Sequence, residues 1–429
     1  MFILDGMNKC FVSFIISFCL LHNAYANKDR DRAIEEYIRS LPVHQQLSQL
    51  FLVNIHGDSD YVPVEYVSLE NSRDLVPVVP GGCLFFNYNI ASSAEEVIKF
   101  TSSIASYCEK HKIVRPYIAV DQEGGYVNRL KNLTVPLPAN RTVAQKYSAQ
   151  QAFNLYKMQA VQMHALGFDM NLAPVAEPLT ADNTDFLDDR SYGDRVNTVV
   201  YSIACIRAYR QGGIQCIVKH FPGNTNIDPH SGLPEISMSK NAVYEQLLLP
   251  FFLVSGANPS GILMSHAKVK EFLEPTFSRA PENIPACLSR FWCSDVLRDA
   301  FGYEGLILSD DIFMMALQDN GYPPEKAAVM ALDAGVDIIM LSEKKFVKVM
   351  EVLARECRNN PAFAQKVFEA EKKVIQYKIK AGILSLQQDA SGSGKICVVA
   401  VNQQQQRGTE QNRLRRFEEV WQSYREQFK

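Results

Sequence analysis

Short apolar runs alternate along this chain with longer stretches in which apolar residues recur at helical spacing. The runs are QLFLVNI (49–55), GCLFFN (82–87), YIAVDQEGG (117–125), FDMNLAPV (168–175), IQCIVKHFPG (214–223), GILMSHAKV (261–269), GLILSDD (305–311) and VDIIMLS (336–342). They are near-continuously apolar rather than alternating, which is the pattern of strands buried on both faces of a parallel sheet. Eight of them, separated mostly by spans long enough for a helix, predict an α/β fold of the (β/α)8 TIM-type barrel kind.

A doubly wound open sheet is the competing architecture. The polar residues help to separate the two. Asp121, Lys219 and His220, Ser265 and His266, Asp310 and Ser342 stand at the C-terminal ends of different runs. A barrel builds its site from many strand ends, whereas an open sheet gathers chemistry from fewer strands at one crevice.

Residues 344–382 read as helix, interrupted at Asn359-Asn360-Pro361, and would close the barrel. DASGSGK (389–395) reads as a linker by composition; it lacks the first glycine of a phosphate loop, and Ile396 stands where that motif needs Ser or Thr. Beyond it, Leu414, Phe417, Val420, Trp421, Tyr424 and Phe428 form an apolar stripe at helical spacing, expected to dock on the barrel. The expected organisation is a signal peptide over 1–26, the barrel over 30–382, and a linker and helical tail over 383–429.

The export signal rests on Lys9, the twelve-residue run Cys10 to Leu21, and the small residues around Tyr25 in Ala24-Tyr25-Ala26, with cleavage after Ala26. A transmembrane anchor is the alternative, but that run is well short of the roughly 20 residues a spanning helix needs. Export places the protein in the periplasm or outside the cell.

With 429 residues, 47% of them hydrophobic, the chain can bury a large core. A net charge of -3, with no basic cluster interleaved with aromatics, argues against nucleic acid as a partner. Of ten cysteines, two fall in the presumed signal and eight are scattered without a CxxC pair. They read as buried thiols with a bridge or two, rather than as metal ligands. The chain has no HExxH, GxGxxG or Gly-x-Ser-x-Gly, so zinc protease, dinucleotide enzyme and α/β-hydrolase lose their usual support.

Four clusters carry candidate chemistry. Asp310-Asp311 ends a strand; adjacent strand residues point to opposite faces, so one can aim at the barrel axis as a nucleophile, although a strand-ending Asp is commonly a helix cap. Asp228-Pro229-His230 puts a carboxylate beside an imidazole, a pairing that fixes one tautomer, although a surface turn would look the same. In DQEGGYVNR, Asp121 can accept from sugar hydroxyls and the glycines let backbone approach a ligand, or the segment is a plain strand-to-helix turn. Arg190 is either a ligand clamp or a surface partner of Asp188 or Asp189.

Taken together, LPVHQQLSQLFLV, GGCLFFNYN, AVDQEGGYVNRL, GFDMNLAPVAEP, RSYG, KHFPG, DPH, ILMSHAKV, the segment PACLSRFWCSDVLRDAFGYEGLILSDDIFMMA and AGVDIIMLS resemble glycoside hydrolase family 3. Within it, the likeness is to the single-domain β-N-acetylglucosaminidases (β-hexosaminidases), over about residues 35–345. KHFPG and SDD are the most specific of these motifs.

The resemblance implies that Asp310 is the nucleophile of a covalent glycosyl-enzyme and that His230, oriented by Asp228, is the acid/base. It implies that Asp121, Arg129, Arg190, Lys219 and His220 bind the sugar, with no metal or organic cofactor. The implied activity is a retaining exo-acting release of terminal GlcNAc from peptidoglycan fragments or chitooligosaccharides, with a family 3 β-glucosidase or a catalytically silent sugar-binding barrel as alternatives. The expected partner is the carbohydrate alone, with no nucleic acid, no membrane span after signal cleavage, and a monomeric chain.

The sequence departs from the family's usual pattern in places. The stretch between KHFPG and the Asp-His pair is NTNI, two residues shorter than usual and without His-Gly-Asp. Tyr126 stands where Arg is common, Glu177 replaces a common Asp, and SHA replaces Thr-Ala-His. Those positions bear on which aglycone fits.

Overall fold

The structure, a computed structural model, describes residues 28–68, 75–270, 283–389 and 395–428. The expected export signal lies outside the described residues, as do Cys10, Cys19 and the middle of DASGSGK.

Eight parallel strands follow one another around a barrel: β1 (Phe51–Asn54), β2 (Gly82–Phe85), β3 (Tyr117–Val120), β4 (Met170–Asn171), β5 (Gln215–Phe221), β6 (Gly261–Met264), β7 (Leu306–Leu308) and β8 (Ile339–Leu341). β8 pairs with β1, and a parallel bridge between Leu308 and Ile338 joins β7 to β8, so the sheet closes on itself. Each predicted run contains one of these strands. The open-sheet alternative fails on that closure.

The runs are apolar throughout because both faces of each strand are buried, by the barrel interior on one side and by helices on the other. Among the outer helices are α1 (Ala94–His111), α2 (Ala149–Leu166), α3 (Arg195–Gln211), α4 (Pro324–Ala334), α5 (Val347–Asn359) and α6 (Pro361–Lys380). α1 starts at Ser93, whose hydroxyl accepts from the Glu96 amide while the Glu96 carboxylate accepts from the Ser93 amide, satisfying two amide donors at the helix start. The predicted interruption at Asn359-Asn360-Pro361 separates α5 from α6, with Asn360 capping the Phe363 amide.

The chain after α6 does more than the sequence reading anticipated. Leu384–Gln388 and Ile396–Ala400 pair as an antiparallel hairpin, so DASGSGK connects two paired strands. The last helix, α7 (Glu410–Phe428), packs on α1 and α2 and buries Phe417 and Val420. Arg413 enters the interior and donates to Ala165 O (2.9 Å), Ser102 Oγ (2.9 Å) and Thr101 Oγ1 (2.8 Å). Arg407 and Arg115 both pair with the buried Asp169, which also accepts from the Ile118 amide at 2.9 Å. Asp169 precedes β4 and Arg115 precedes β3, so this clamp lies at the N-terminal ends of the strands.

Eight cysteines fall among the described residues; six are buried and none forms a disulfide there. No described helix is long and apolar enough to cross a membrane.

Candidate active site

At the opposite end of the barrel, the C-terminal ends of the strands and the loops that follow them enclose a cleft of about 720 Å³. Its centre is an ion-pair network. The Lys219 ammonium lies 2.6 Å from Asp121 Oδ1 and 2.6 Å from Glu123 Oε1. Arg190 meets the same Glu123 carboxylate with two parallel bonds, Nε to Oε2 at 2.9 Å and Nη2 to Oε1 at 3.0 Å.

Glu123 and Lys219 are almost wholly buried. Burial opposes the charge on Glu123, but Lys219 and Arg190 outweigh it and hold the carboxyl well below the usual carboxylate range. Burial likewise opposes the charge on Lys219, and Asp121 and Glu123 reverse the effect and raise it. Glu123, Lys219 and Arg190 are therefore held in their charged forms, and they present fixed charges to anything entering the cleft.

Local sequence explains how these groups meet. Asp121 directly follows β3, and the chain then turns through a small hairpin, Gln122–Gly124 against Val127–Asn128. In extended chain, residues two apart share a face, so Asp121 and Glu123 point the same way. Gly124 and Gly125 make the turn at φ 99° and 58°; a Cβ on Gly124 would sit 2.3 Å from Pro138 O, so only glycine fits. Gln122 braces the hairpin, donating to Asn128 Oδ1 at 2.7 Å and accepting from the Leu130 amide at 3.1 Å.

His220 follows Lys219 on β5, and its Nδ1 lies 2.6 Å from Glu177 Oε1. A carboxylate oxygen only accepts, so Nδ1 carries a proton and donates it in this bond. Asn224 Nδ2 donates to the same Glu177 oxygen at 3.2 Å.

Beyond β7, Asp310 and Asp311 both line the cleft and both are mostly buried. Asp310 Oδ1 accepts from the Asp311 amide at 2.8 Å. Asp311 is tied into the loop instead: its Oδ1 accepts from the Phe313 amide at 3.0 Å, and its carbonyl accepts from His266 Nε2 at 2.9 Å. Burial raises the Asp311 carboxyl above the ordinary range against the hydrogen bond from Ser342. Both side chains of the pair therefore reach the cleft, each with one carboxylate oxygen bonded to a backbone amide of the loop.

Asp228 and His230 ride the loop after β5. Asp228 Oδ1 accepts from the His230 amide at 2.9 Å and lies 2.7 Å from His230 Nδ1. The slight burial of Asp228 would raise its carboxyl, but the two bonds from His230 win and lower it. The loop is anchored at the mouth of the cleft, because Pro229 O accepts from the Ala316 amide, six residues after Asp310, at 3.2 Å. His230 itself is 71% exposed, poised at the rim.

Residues 44–376 match the family described as glycosyl hydrolase family 3 N terminal domain. The chain belongs to glycoside hydrolase family 3. The match extends through most of α6, beyond the stretch over which motifs are recognisable by eye. The chain is 26% identical over 325 residues to a beta-hexosaminidase A of Pseudoalteromonas piscicida, covering 70% of this chain and 53% of that protein. It thus spans about half the length of that relative. It is 30% identical over 272 residues to a beta-hexosaminidase of Alkalilimnicola ehrlichii, covering 61% and 73% of the two chains. In structure it resembles a family 3 β-N-acetylglucosaminidase from Paenibacillus sp. str. FPU-7, with a TM-score of 0.71 at 24% identity over 80% of this chain and 63% of that one.

All eight residues singled out in the sequence, Asp121, Arg129, Arg190, Lys219, His220, Asp228, His230 and Asp310, line this family 3 cleft. Arg190 does not pair with Asp188 or Asp189 on the surface; its partner is the buried Glu123. Arg129 makes no ion pair among the described residues; its guanidinium lies over the Phe86 ring, 5.7 Å from the centroid, and its Nε is buried without a partner. Ser265 and His266, also at a strand end, do not line the cleft; His266 instead supports Asp311 from behind. Glu123 was missed, although two-residue spacing from Asp121 was a legible signal. Glu177 was noted only as a departure from the family pattern, and its role in fixing the His220 tautomer needs the fold.

Proposed function

We propose that the chain is a retaining exo-β-N-acetylglucosaminidase that releases terminal GlcNAc from peptidoglycan fragments or chitooligosaccharides through a covalent glycosyl-enzyme. The observation that carries this reading is that Asp310, after β7, and the Asp228–His230 pair, on the loop after β5, line one cleft around a preformed ion-pair network.

In the first step an Asp310 carboxylate oxygen attacks the anomeric carbon while the glycosidic C–O bond breaks, and protonated His230 gives its proton to the leaving oxygen. In the second, neutral His230 takes a proton from water, the water oxygen bonds to the anomeric carbon, and Asp310 leaves as carboxylate. Asp228, held ionised, keeps the His230 Nδ1 proton in place so that Nε2 does the exchanging. Most retaining glycosidases use two carboxyl groups about 5–5.5 Å apart; an Asp-bound imidazole replaces the second here. Asp121, Lys219, Arg190 and His220 hold hydroxyls of the terminal GlcNAc that becomes bonded to Asp310, and Arg129 supplies an unpaired donor. The reading also includes export through residues 1–26, which N-terminal sequencing of the mature protein checks.

Asp310→Asn keeps the shape and removes the nucleophile. Hydrolysis of an aryl N-acetylglucosaminide is expected to fall by about 10³-fold or more, given what covalent nucleophiles contribute. Turnover within tenfold of the parent removes Asp310 from the mechanism, and a faster rate on the matching aryl glucoside redirects the substrate assignment.

A further inference from the structure

The deep part of the cleft is charged and buried, while its outer part has a different character. Tyr126 follows Gly124-Gly125 at the tip of the β3 hairpin, lines the cleft, and is 91% exposed. It makes no hydrogen bond or ring contact among the described residues. A tyrosine ring left in water at the mouth of a sugar cleft is a surface on which the C–H face of a pyranose can lie. Phe186, Met314 and the half-exposed Met315 add apolar surface to the same cleft.

The charges around that rim have one dominant sign. Six acidic side chains line the cleft, Asp121, Glu123, Asp185, Asp228, Asp310 and Asp311, against three basic ones, Arg129, Arg190 and Lys219, and two histidines. Two of the cations are already paired with Glu123. The third, Arg129, lies at the base of the hairpin with its guanidinium over the Phe86 ring. An anionic group on the second sugar would therefore meet the carboxylates Asp185 and Asp228 at the exposed rim of a cleft in which acidic side chains outnumber basic ones.

Resting on the glycosidase reading above, we infer that the outer subsite takes an uncharged pyranose stacked on Tyr126, so that the enzyme prefers chitooligosaccharides to disaccharides carrying a carboxylate on the second ring. Three substrates test this with the full-length protein. They are N-acetylglucosaminyl fluoride, which has no second ring; chitobiose; and GlcNAc-β-1,4-MurNAc, which adds a lactyl carboxylate to an otherwise similar pair.

The parent enzyme is expected to favour chitobiose over GlcNAc-MurNAc by about tenfold or more in kcat/KM, the size of a modest electrostatic mismatch. Tyr126→Ala is expected to raise KM for chitobiose roughly fivefold to tenfold, the effect of uncovering one ring face, and to leave the fluoride unchanged. Tyr126→Phe keeps the ring and restores the parent value. Tyr126→Arg narrows the gap between the two disaccharides. Equal use of both disaccharides by the parent, or an equal loss on chitobiose and fluoride in Tyr126→Ala, overturns the inference. Failure to cleave the fluoride or any other GlcNAc donor overturns the glycosidase reading itself, which keeps the two outcomes apart.

Discussion

Glu123 organises the cleft. One buried carboxylate receives both Lys219 and Arg190, and its loss leaves two cations facing each other with Asp121 as the nearby counter-charge. Glu123→Gln is expected to cost about 3–5 kcal/mol, the range for breaking a buried ion pair by removing one partner. The sign with pH follows from the depressed carboxyl. The stabilisation is fully present above the ordinary Glu value of 4.5 and is lost as pH falls below it toward the lower folded value, because only the unfolded chain then takes up the proton. Thermal melts of parent and variant should therefore differ most near pH 7 and converge as the pH drops below 4.5. A gap that stays constant down to pH 3 would mean that the network contributes through packing alone. The residue scale is also where sequence reading was most uneven. Asp310, Asp228 and His230 were legible through motif and local spacing. Glu177 was not legible in its role, because its bond to His220 spans 43 residues of chain and two strand ends.

Between β3 and α2 the decisive element is a hairpin of seven residues, 122–128, that hangs functional groups at both ends: Asp121 and Glu123 at its root, Tyr126 at its tip. Its two glycines are needed for different reasons. Gly125 at φ 58° would bring a Cβ within 2.6 Å of Ala139 Cβ, and Gly124 at φ 99° would strike a backbone carbonyl. Gly124→Ala is expected to cost about 1–3 kcal/mol through an unfavourable backbone conformation and to raise KM, because displacing the hairpin moves Asp121 and Tyr126 together. Steady-state kinetics beside a melt checks it: an unchanged KM would show that the hairpin tolerates the shift without moving the subsite. The loop carrying His230 is the counterpart of this hairpin. Its anchor from Ala316 to Pro229 joins it to the segment after Asp310, so His230 and Asp310 share a structural neighbour. No local sequence signal predicts that bond, since its partners lie 87 residues apart.

At the scale of the whole molecule, the two ends of the barrel have separate tasks. The cleft occupies the C-terminal strand ends, and the chain's last segment is fastened near the N-terminal ends through Arg407, Arg413 and the apolar face of α7. Phe417, buried on α1 and α2, is central to that attachment. Phe417→Ala is expected to cost about 3 kcal/mol or more and to lower the melting temperature, with kcat/KM unchanged well below it, because the lesion lies across the barrel from the chemistry. A loss of activity without a loss of stability would reveal coupling between the two ends. The apolar stripe of α7 was legible because helical periodicity survives in sequence, and its docking follows from the need to bury that stripe. The hairpin at 384–388 and 396–400 was not, because each strand is only five residues long and partly exposed, and the second, ICVVA, lacks the alternation that marks a half-buried strand.

The eight apolar runs, their order, and the chemical groups that follow them are legible in residue order alone, since a strand buried on both faces must be apolar and a barrel site is supplied from strand ends. That β8 closes on β1, that Glu123 rather than a neighbouring aspartate receives Arg190, and that Tyr126 stands exposed at the rim emerge from the folded chain. These depend on which distant segments share a volume, and pairwise proximity is a property of the closed barrel that local spacing does not encode.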